Sequence, residues 1–276
     1  MIEDTQSKSD SRQLPISRVG IKNIQYPITV FNYSGHVQRT IGNFEMYVNL
    51  PHDQKGTHMS RFIEILNDNK DGISLDTTSQ ITAGMKSELE AETAYLKVTF
   101  PYFVEKEAPV TRTKSFMNYA ISILCESADS DKLTLTIDVP VTTLCPCSKS
   151  ISEYGAHNQR GLVRVQTRFA HKMSLDFENI INRIEKTSSC EIFALLKRED
   201  EKFVTERAYE NPVFVEDLVR DIALSLSEAD EITWFSVEVT NFESIHNHDA
   251  YAFIEVDKQS ATSIRQSEAV LAESVS

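Results

Sequence analysis

Apolar and polar residues alternate with period two over Ser17–Ile24 and Val37–Leu50, a pattern that predicts strands with one buried face. The period then lengthens. In HMSRFIEILNDN, Met59, Phe62, Ile63 and Leu66 share one helical face, and a second helix is predicted over Thr77–Ala91. Strand character returns at Tyr95–Val104. Arg112–Leu124 and Lys132–Val141, joined by the polar turn SADSDK, read as a long hairpin. Leu162–His171 is the next strand, followed by helical patterns at Leu175–Lys186, Glu191–Leu196 and Val213–Ser227. Thr233–Phe242 and Tyr251–Val256 close the folded part as strands rich in β-branched and aromatic residues.

Two strands, two helices and two strands are thus followed by nearly the same order with one more helix. Grouped hairpins with helices between them predict an α+β fold with antiparallel sheets, since a parallel sheet would need strict strand–helix alternation. The two ββααββ-like halves divide at 14–130 and 131–258. Residues 1–13 and 259–276 are polar, Ser-rich and weakly periodic, and read as mobile tails, the last with the makings of a short helix.

Composition narrows the function classes. With 276 residues the chain can bury a sizeable core, and 41% hydrophobic with 25% charged residues is ordinary for a globular protein. No apolar run approaches the roughly 18 residues a membrane helix needs, and the polar N-terminus lacks the apolar core of a secretory signal. A cytoplasmic protein is expected. A net charge of −13 argues against a nucleic-acid groove but allows a small anion held by a local set of cations. Arg160, Lys149, Arg61 and Lys114 are candidates for that set.

Chemistry concentrates in three places. LCPCSKSISEYGAHNQRG holds Cys145, Cys147 and His157 just after a strand. Four cysteines in all are too few and too uneven for a disulfide framework, so a close pair points first to metal or catalysis. If the backbone stays extended through Pro146, the two sulfurs share a face; two inert buried cysteines are the plain alternative. Thiolate and imidazole together suit a borderline-soft ion such as zinc. The second cluster is NFESIHNHDAY, with Glu243, His246, His248 and Asp249, either a polar hairpin loop or a set of ligands and proton carriers. The third, LLKREDEKFVTERAYENPVFVEDLVRD, is mostly helix-surface charge, from which one inward carboxylate would complete a metal site able to activate water.

These blocks, VPVTTLCPCSKSISEYGAHNQRG, LLKREDEKFVTERAYENPVFVEDLVRD and NFESIHNHDAYA, together with KGTHMSRFIEIL, closely resemble the type IB GTP cyclohydrolases across about residues 15–257. The resemblance implies the tunnelling fold (T-fold), two ββααββ units per chain with antiparallel sheets and helices on one face, and a homotetramer with active sites at subunit interfaces. It implies conversion of GTP to 7,8-dihydroneopterin triphosphate and formate, the entry to tetrahydrofolate and, in many bacteria, to queuosine-type deazapurines. One divalent metal per site is implied, Zn2+, Mn2+ or Fe2+. By the same resemblance Cys145, His157, Glu201 and His246 are its ligands, Cys145, His157, His246 and Glu243 carry the catalysis, and Glu216 anchors the purine edge. Glu199 and Glu206 flank Glu201 closely, and Cys147 could share the metal with Cys145. Lys149, Arg160 and Arg61 are expected on the triphosphate.

Three other readings keep parts of this picture. An archaeal-type cyclohydrolase would release a cyclic phosphate. A T-fold nitrile reductase would use cysteine and NADPH without metal, but TRTKSFMNYAISIL lacks the acidic lead and paired lysines expected of its nucleotide motif. A non-catalytic protein would use a closed, four-ligand structural metal.

Overall fold

A computed structural model describes residues 6, 9–31, 37–69, 72–170 and 176–258. The tail expected over 259–276, and most of the one over 1–13, lie outside the described residues. Among described residues at the N-terminus, Ser9 forms an isolated bridge with Gln54.

The alternating segments become β1 (Ile16–Phe31), β2 (Val37–Leu50), β3 (Ala94–Glu107), β4 (Lys114–Ser127), β5 (Asp131–Leu144), β6 (Asn158–Phe169), β7 (Cys190–Glu191), β8 (Ile232–Asn241) and β9 (Ala250–Asp257). The helices are α1 (Met59–Asp68), α2 (Leu75–Glu88), α3 (Pro146–Ile151), α4 (Phe177–Thr187), α5 (Arg198–Glu210) and α6 (Val215–Ser227). The strands pair in the order β1-β2-β3-β4-β5-β6-β8-β9, with β7 on β5. The fold is α+β, and the pairs β1–β2, β2–β3, β5–β7, β6–β8 and β8–β9 are antiparallel.

The described residues fall into two compact units. One draws on Met1–Tyr102, Ala120–Leu135 and Lys172–Asp176, the other on Phe103–Tyr119, Thr136–His171 and Phe177–Ser276. In the first, α1 packs on α2, and Phe44, Met46, Leu96, Val98, Phe62 and Leu66 are buried. Ser74 starts α2 with a capping box, its hydroxyl accepting from Thr77 N while the Thr77 hydroxyl accepts from Ser74 N. In the second unit α6 packs on β8 and β9, and α4 packs on α6. Ile180, Ile181 and Ile184 of α4 are buried at helical spacing, as are Leu218, Val219, Ile222 and Leu226 of α6. Truncating one such anchor, Ile184→Ala, would cost about 2–5 kcal/mol.

One expected element is absent. Glu191–Leu196 forms no helix. Cys190 and Glu191 instead pair with Thr142 and Val141 of β5, and the Ile192 carbonyl accepts from Lys106 Nζ at 3.0 Å. The helix begins at Arg198, where the buried Asp200 carboxylate accepts from Lys197 N at 2.9 Å.

Candidate functional site

β5 ends at Leu144, and its last residue is held on both sides. Leu144 N donates to Ser189 Oγ at 3.0 Å, and Leu144 O accepts from Val213 N, just before α6, at 3.1 Å. Cys145 follows directly on this anchored end. Pro146 does not prolong the extended chain. It opens α3, where its missing N–H would have no helical partner anyway. Cys145 is therefore the N-cap, its Sγ accepting from Ser148 N at 3.4 Å, and it is half-buried, whereas Cys147 lies on the helix and is exposed. The expected shared face of the two sulfurs is not formed.

Ser148 ties Cys145 to His157. Its hydroxyl donates to Cys145 O at 3.1 Å and accepts from His157 N at 3.2 Å, while Cys145 N donates to His157 O at 3.1 Å. The chain returns from α3 through Gly155, whose φ of +140° strains any side chain, and enters β6. His157 Nδ1 lies 2.9 Å from Gln159 Oε1 and 4.0 Å from Glu243 Oε2. Glu243 is brought there by the β6–β8 ladder: Gly161 pairs with Asn241, and Phe242 N donates to Arg160 O at 2.9 Å. A Cβ on Gly161 would sit 2.7 Å from Asn241 Oδ1, so glycine permits this close pairing.

The remaining expected residues stand apart in varying degrees. His246 stacks on His248 with ring centroids 5.1 Å apart, both exposed. Glu201 is exposed in the first turn of α5, flanked by Glu199 and Asp200. It shares a helical face with Val204, Thr205 and Ala208 (i, i+3, i+4, i+7). Those three line a cavity of about 460 Å³ together with Thr142, Gln159 and Arg160. Glu191, also on its wall, pairs with Arg207 at 3.1 Å. Cys190 borders the same cavity; burial, and then the Glu191 charge, push its thiol up to about 11. Glu216 is exposed in the first turn of α6, beside Asp217. Lys149 Nζ donates to Tyr209 O and lies 4.4 Å over the Tyr209 ring centroid. Arg61 belongs to the first unit, where its guanidinium donates to the Glu88 carbonyl at the end of α2.

Cys145, His157 and Glu243 are thus gathered, with Arg160 and the Glu201 face around the neighbouring cavity. Among the described residues no group of three or more His, Cys, Asp or Glu side chains is close enough to hold a metal ion. A thiol and an imidazole on backbone segments tied together nonetheless have the donor chemistry of a zinc-like site.

Two residues were missed from the sequence, Ser148 and Gln159. Gln159 was findable, because residues two apart in a strand share a face and His157 leads into β6. Ser148 was findable as the N3 partner of an N-capping Cys145.

A model of the type I GTP cyclohydrolase folE2 family matches residues 2–252. GTP cyclohydrolase FolE2 of Nitrosococcus oceani is 51% identical over 258 residues, 93% of this chain and 96% of that protein. GTP cyclohydrolase FolE2 of Geobacter sulfurreducens is 51% identical over 258 residues, 94% of this chain and 99% of that one. Among solved structures, urate oxidase from Bacillus sp. TB-90 aligns with a TM-score of 0.52 at 8% identity, over 88% of this chain and 100% of its own. A uricase from Bacillus fastidious aligns at 0.51 and 7% identity, over 92% and 93%. At such identities these likenesses establish the tunnelling fold alone.

Proposed function

This chain belongs to the type I GTP cyclohydrolases of the FolE2 family, and from that premise we propose that it converts GTP and water to formate and 7,8-dihydroneopterin 3'-triphosphate. The observation that carries the reading is the Cys145–Ser148–His157 tie, which joins the backbones of a cysteine and a histidine at the anchored end of a strand.

In this reading Glu216 accepts the guanine N1–H and 2-amino hydrogens, a donor pair that matches the two oxygens of a carboxylate. Arg160, Lys149 and Arg61 take the triphosphate; Arg160 lies on the wall of the cavity. Cys145 and His157 would hold one divalent ion, Zn2+, Mn2+ or Fe2+, with Glu201 and His246 the further ligands that the resemblance assigns. Such an ion acidifies water enough for attack on guanine C8 near neutral pH. Glu243, 4.0 Å from His157 Nδ1, would steady that ring and stabilise the positive charge a bound cation draws onto it. The working form would be a homotetramer with its sites at subunit interfaces, in the cytoplasm, feeding tetrahydrofolate synthesis. No helix among the described residues is long and apolar enough to cross a membrane.

The test is turnover of GTP by metal-free protein reloaded with zinc, manganese or iron(II) in separate reactions, with products identified by mass. Formate plus the linear triphosphate is expected. A cyclic phosphate would redirect the reading to the archaeal-type reaction, and no product with any of the three would overturn it.

A further inference from the structure

Gln159 is 8% exposed, and both ends of its amide are engaged. Nε2 donates to Thr143 Oγ1 at 2.9 Å, and Oε1 faces His157 Nδ1 at 2.9 Å. Turned over, the amide would present its NH2 to His157 and its oxygen to the Thr143 hydroxyl, which could donate instead, so these two contacts alone permit either orientation. Glu243 breaks the tie. Its carboxylate oxygen lies 4.0 Å from the same Nδ1, so that nitrogen faces negative charge and is the favoured position for a proton. With Nδ1 carrying hydrogen, the Gln159 oxygen must face it.

We propose that Gln159 is a positioning residue that, with Glu243 behind it, holds neutral His157 as the Nδ1–H tautomer and leaves the Nε2 lone pair available. Thr143, itself fully buried, fixes the amide from the far side. The Thr143–Gln159–His157 chain then does for the imidazole what a carboxylate or carbonyl partner does for many ligating or proton-carrying histidines: it selects the ring nitrogen and fixes the ring plane. The inference rests on the reading of His157 as a site residue, but the tautomer can be measured without turnover.

The experiment uses full-length, metal-free protein labelled with 15N-histidine, and records long-range 1H–15N correlations above the imidazole titration range. The His157 ring is assigned by its absence from His157→Gln. Wild type should show protonated Nδ1 and bare Nε2. Gln159→Met, close in shape but without an acceptor, should show a mixture of tautomers or the opposite one. Gln159→Glu, which restores the acceptor, should return the wild-type pattern. Zinc alone, followed by competition with a chelator, should bind roughly 10–100-fold more weakly to Gln159→Met than to wild type. Protonated Nε2 in wild type, or an unchanged Nδ1–H pattern in Gln159→Met, overturns the inference. If Gln159→Met does not fold, the wild-type and Gln159→Glu spectra decide. Active wild type with protonated Nε2 sinks this inference alone, whereas inactive wild type with protonated Nδ1 sinks the cyclohydrolase reading alone.

Discussion

Asp200 grips Thr111 twice, Oδ1 accepting from its backbone N–H at 2.9 Å and Oδ2 from its hydroxyl at 2.6 Å. The same carboxylate also accepts from Val110 N and Lys197 N, each at 2.9 Å. One fully buried side chain therefore starts α5 and ties the β3–β4 loop to it, one residue before Glu201.

This grip should show in acid. Burial by itself would raise the Asp200 pKa, but the bonds from Thr111, Lys197 and Val110 outweigh it and hold the carboxyl well below the usual carboxylate range. A carboxyl lowered on folding stabilises the fold fully above its unfolded value, 3.8, and that share is lost as pH falls below it. Asp200→Asn should melt several degrees lower than wild type at neutral pH. The gap should narrow from about pH 4 downward, because wild type loses a contribution the variant never had. Melting curves that stay parallel through that window would acquit Asp200.

A second buried network stands behind the cavity wall. Lys106 Nζ lies 2.8 Å from both Glu185 oxygens and donates to Ile192 O at 3.0 Å, while Tyr119 OH donates to Glu185 Oε1 at 2.7 Å. The side chains of Lys106 and Glu185 are only 13% and 4% exposed. Lys106→Met would leave the carboxylate buried without its cation, at a cost of about 3–5 kcal/mol. Adding Glu185→Leu should recover most of that, since the uncompensated charge is what destabilises. Urea unfolding of the three proteins measures both steps, and a neutral single substitution would show the pair to be idle.

The cysteines should separate by reactivity. Thiolate is the form that alkylates, and Cys190, pushed up to about 11, holds only roughly a thousandth of itself as thiolate at pH 8. Cys125 is buried beside Thr82 Oγ1 at 3.4 Å, whereas Cys147 is exposed on α3. Timed iodoacetamide labelling with peptide mass analysis should modify Cys147 first and Cys125 and Cys190 last. Early labelling of Cys190 would contradict the burial described.

Period-two and helical patterns marked the strands and helices well because one face of each is buried, and burial writes itself into residue type. Glu191–Leu196 misled because its short apolar run fits either state; pairing with Thr142 and Val141 and the Lys106 bond to Ile192 decide it, and Lys106 is 86 residues from Ile192. The Cys145–His157 half of the site was legible locally, within thirteen residues. Asp200 was not, because its partners Val110 and Thr111 lie 90 and 89 residues away. A polar side chain with distant partners leaves no periodic trace. The shared face of Cys145 and Cys147 failed for a different reason: Pro146 can end a strand or begin a helix, and here the Ser148 N–H reaching the Cys145 sulfur makes it a helix start.

Ser148 offers the sharpest test of how the site is held. Its hydroxyl links the two arms, donating to Cys145 O at 3.1 Å and accepting from His157 N at 3.2 Å. Ser148→Ala deletes both bonds but keeps the N–H that reaches the Cys145 sulfur and the direct Cys145 N to His157 O bond. Half-buried and partly replaceable by water, the lost hydroxyl should cost only about 1 kcal/mol of stability. Turnover should suffer more, because small misplacements of reacting groups can cost up to roughly 100-fold. The expected result is a fall of about 10–100-fold in kcat with KM for GTP nearly unchanged, since no triphosphate or purine contact is assigned to Ser148. Ser148→Thr, which keeps the hydroxyl, should recover most of the rate. A loss of stability that matches the loss of rate, or a shift confined to KM, would mean that Ser148 shapes the loop without setting the geometry of Cys145 and His157.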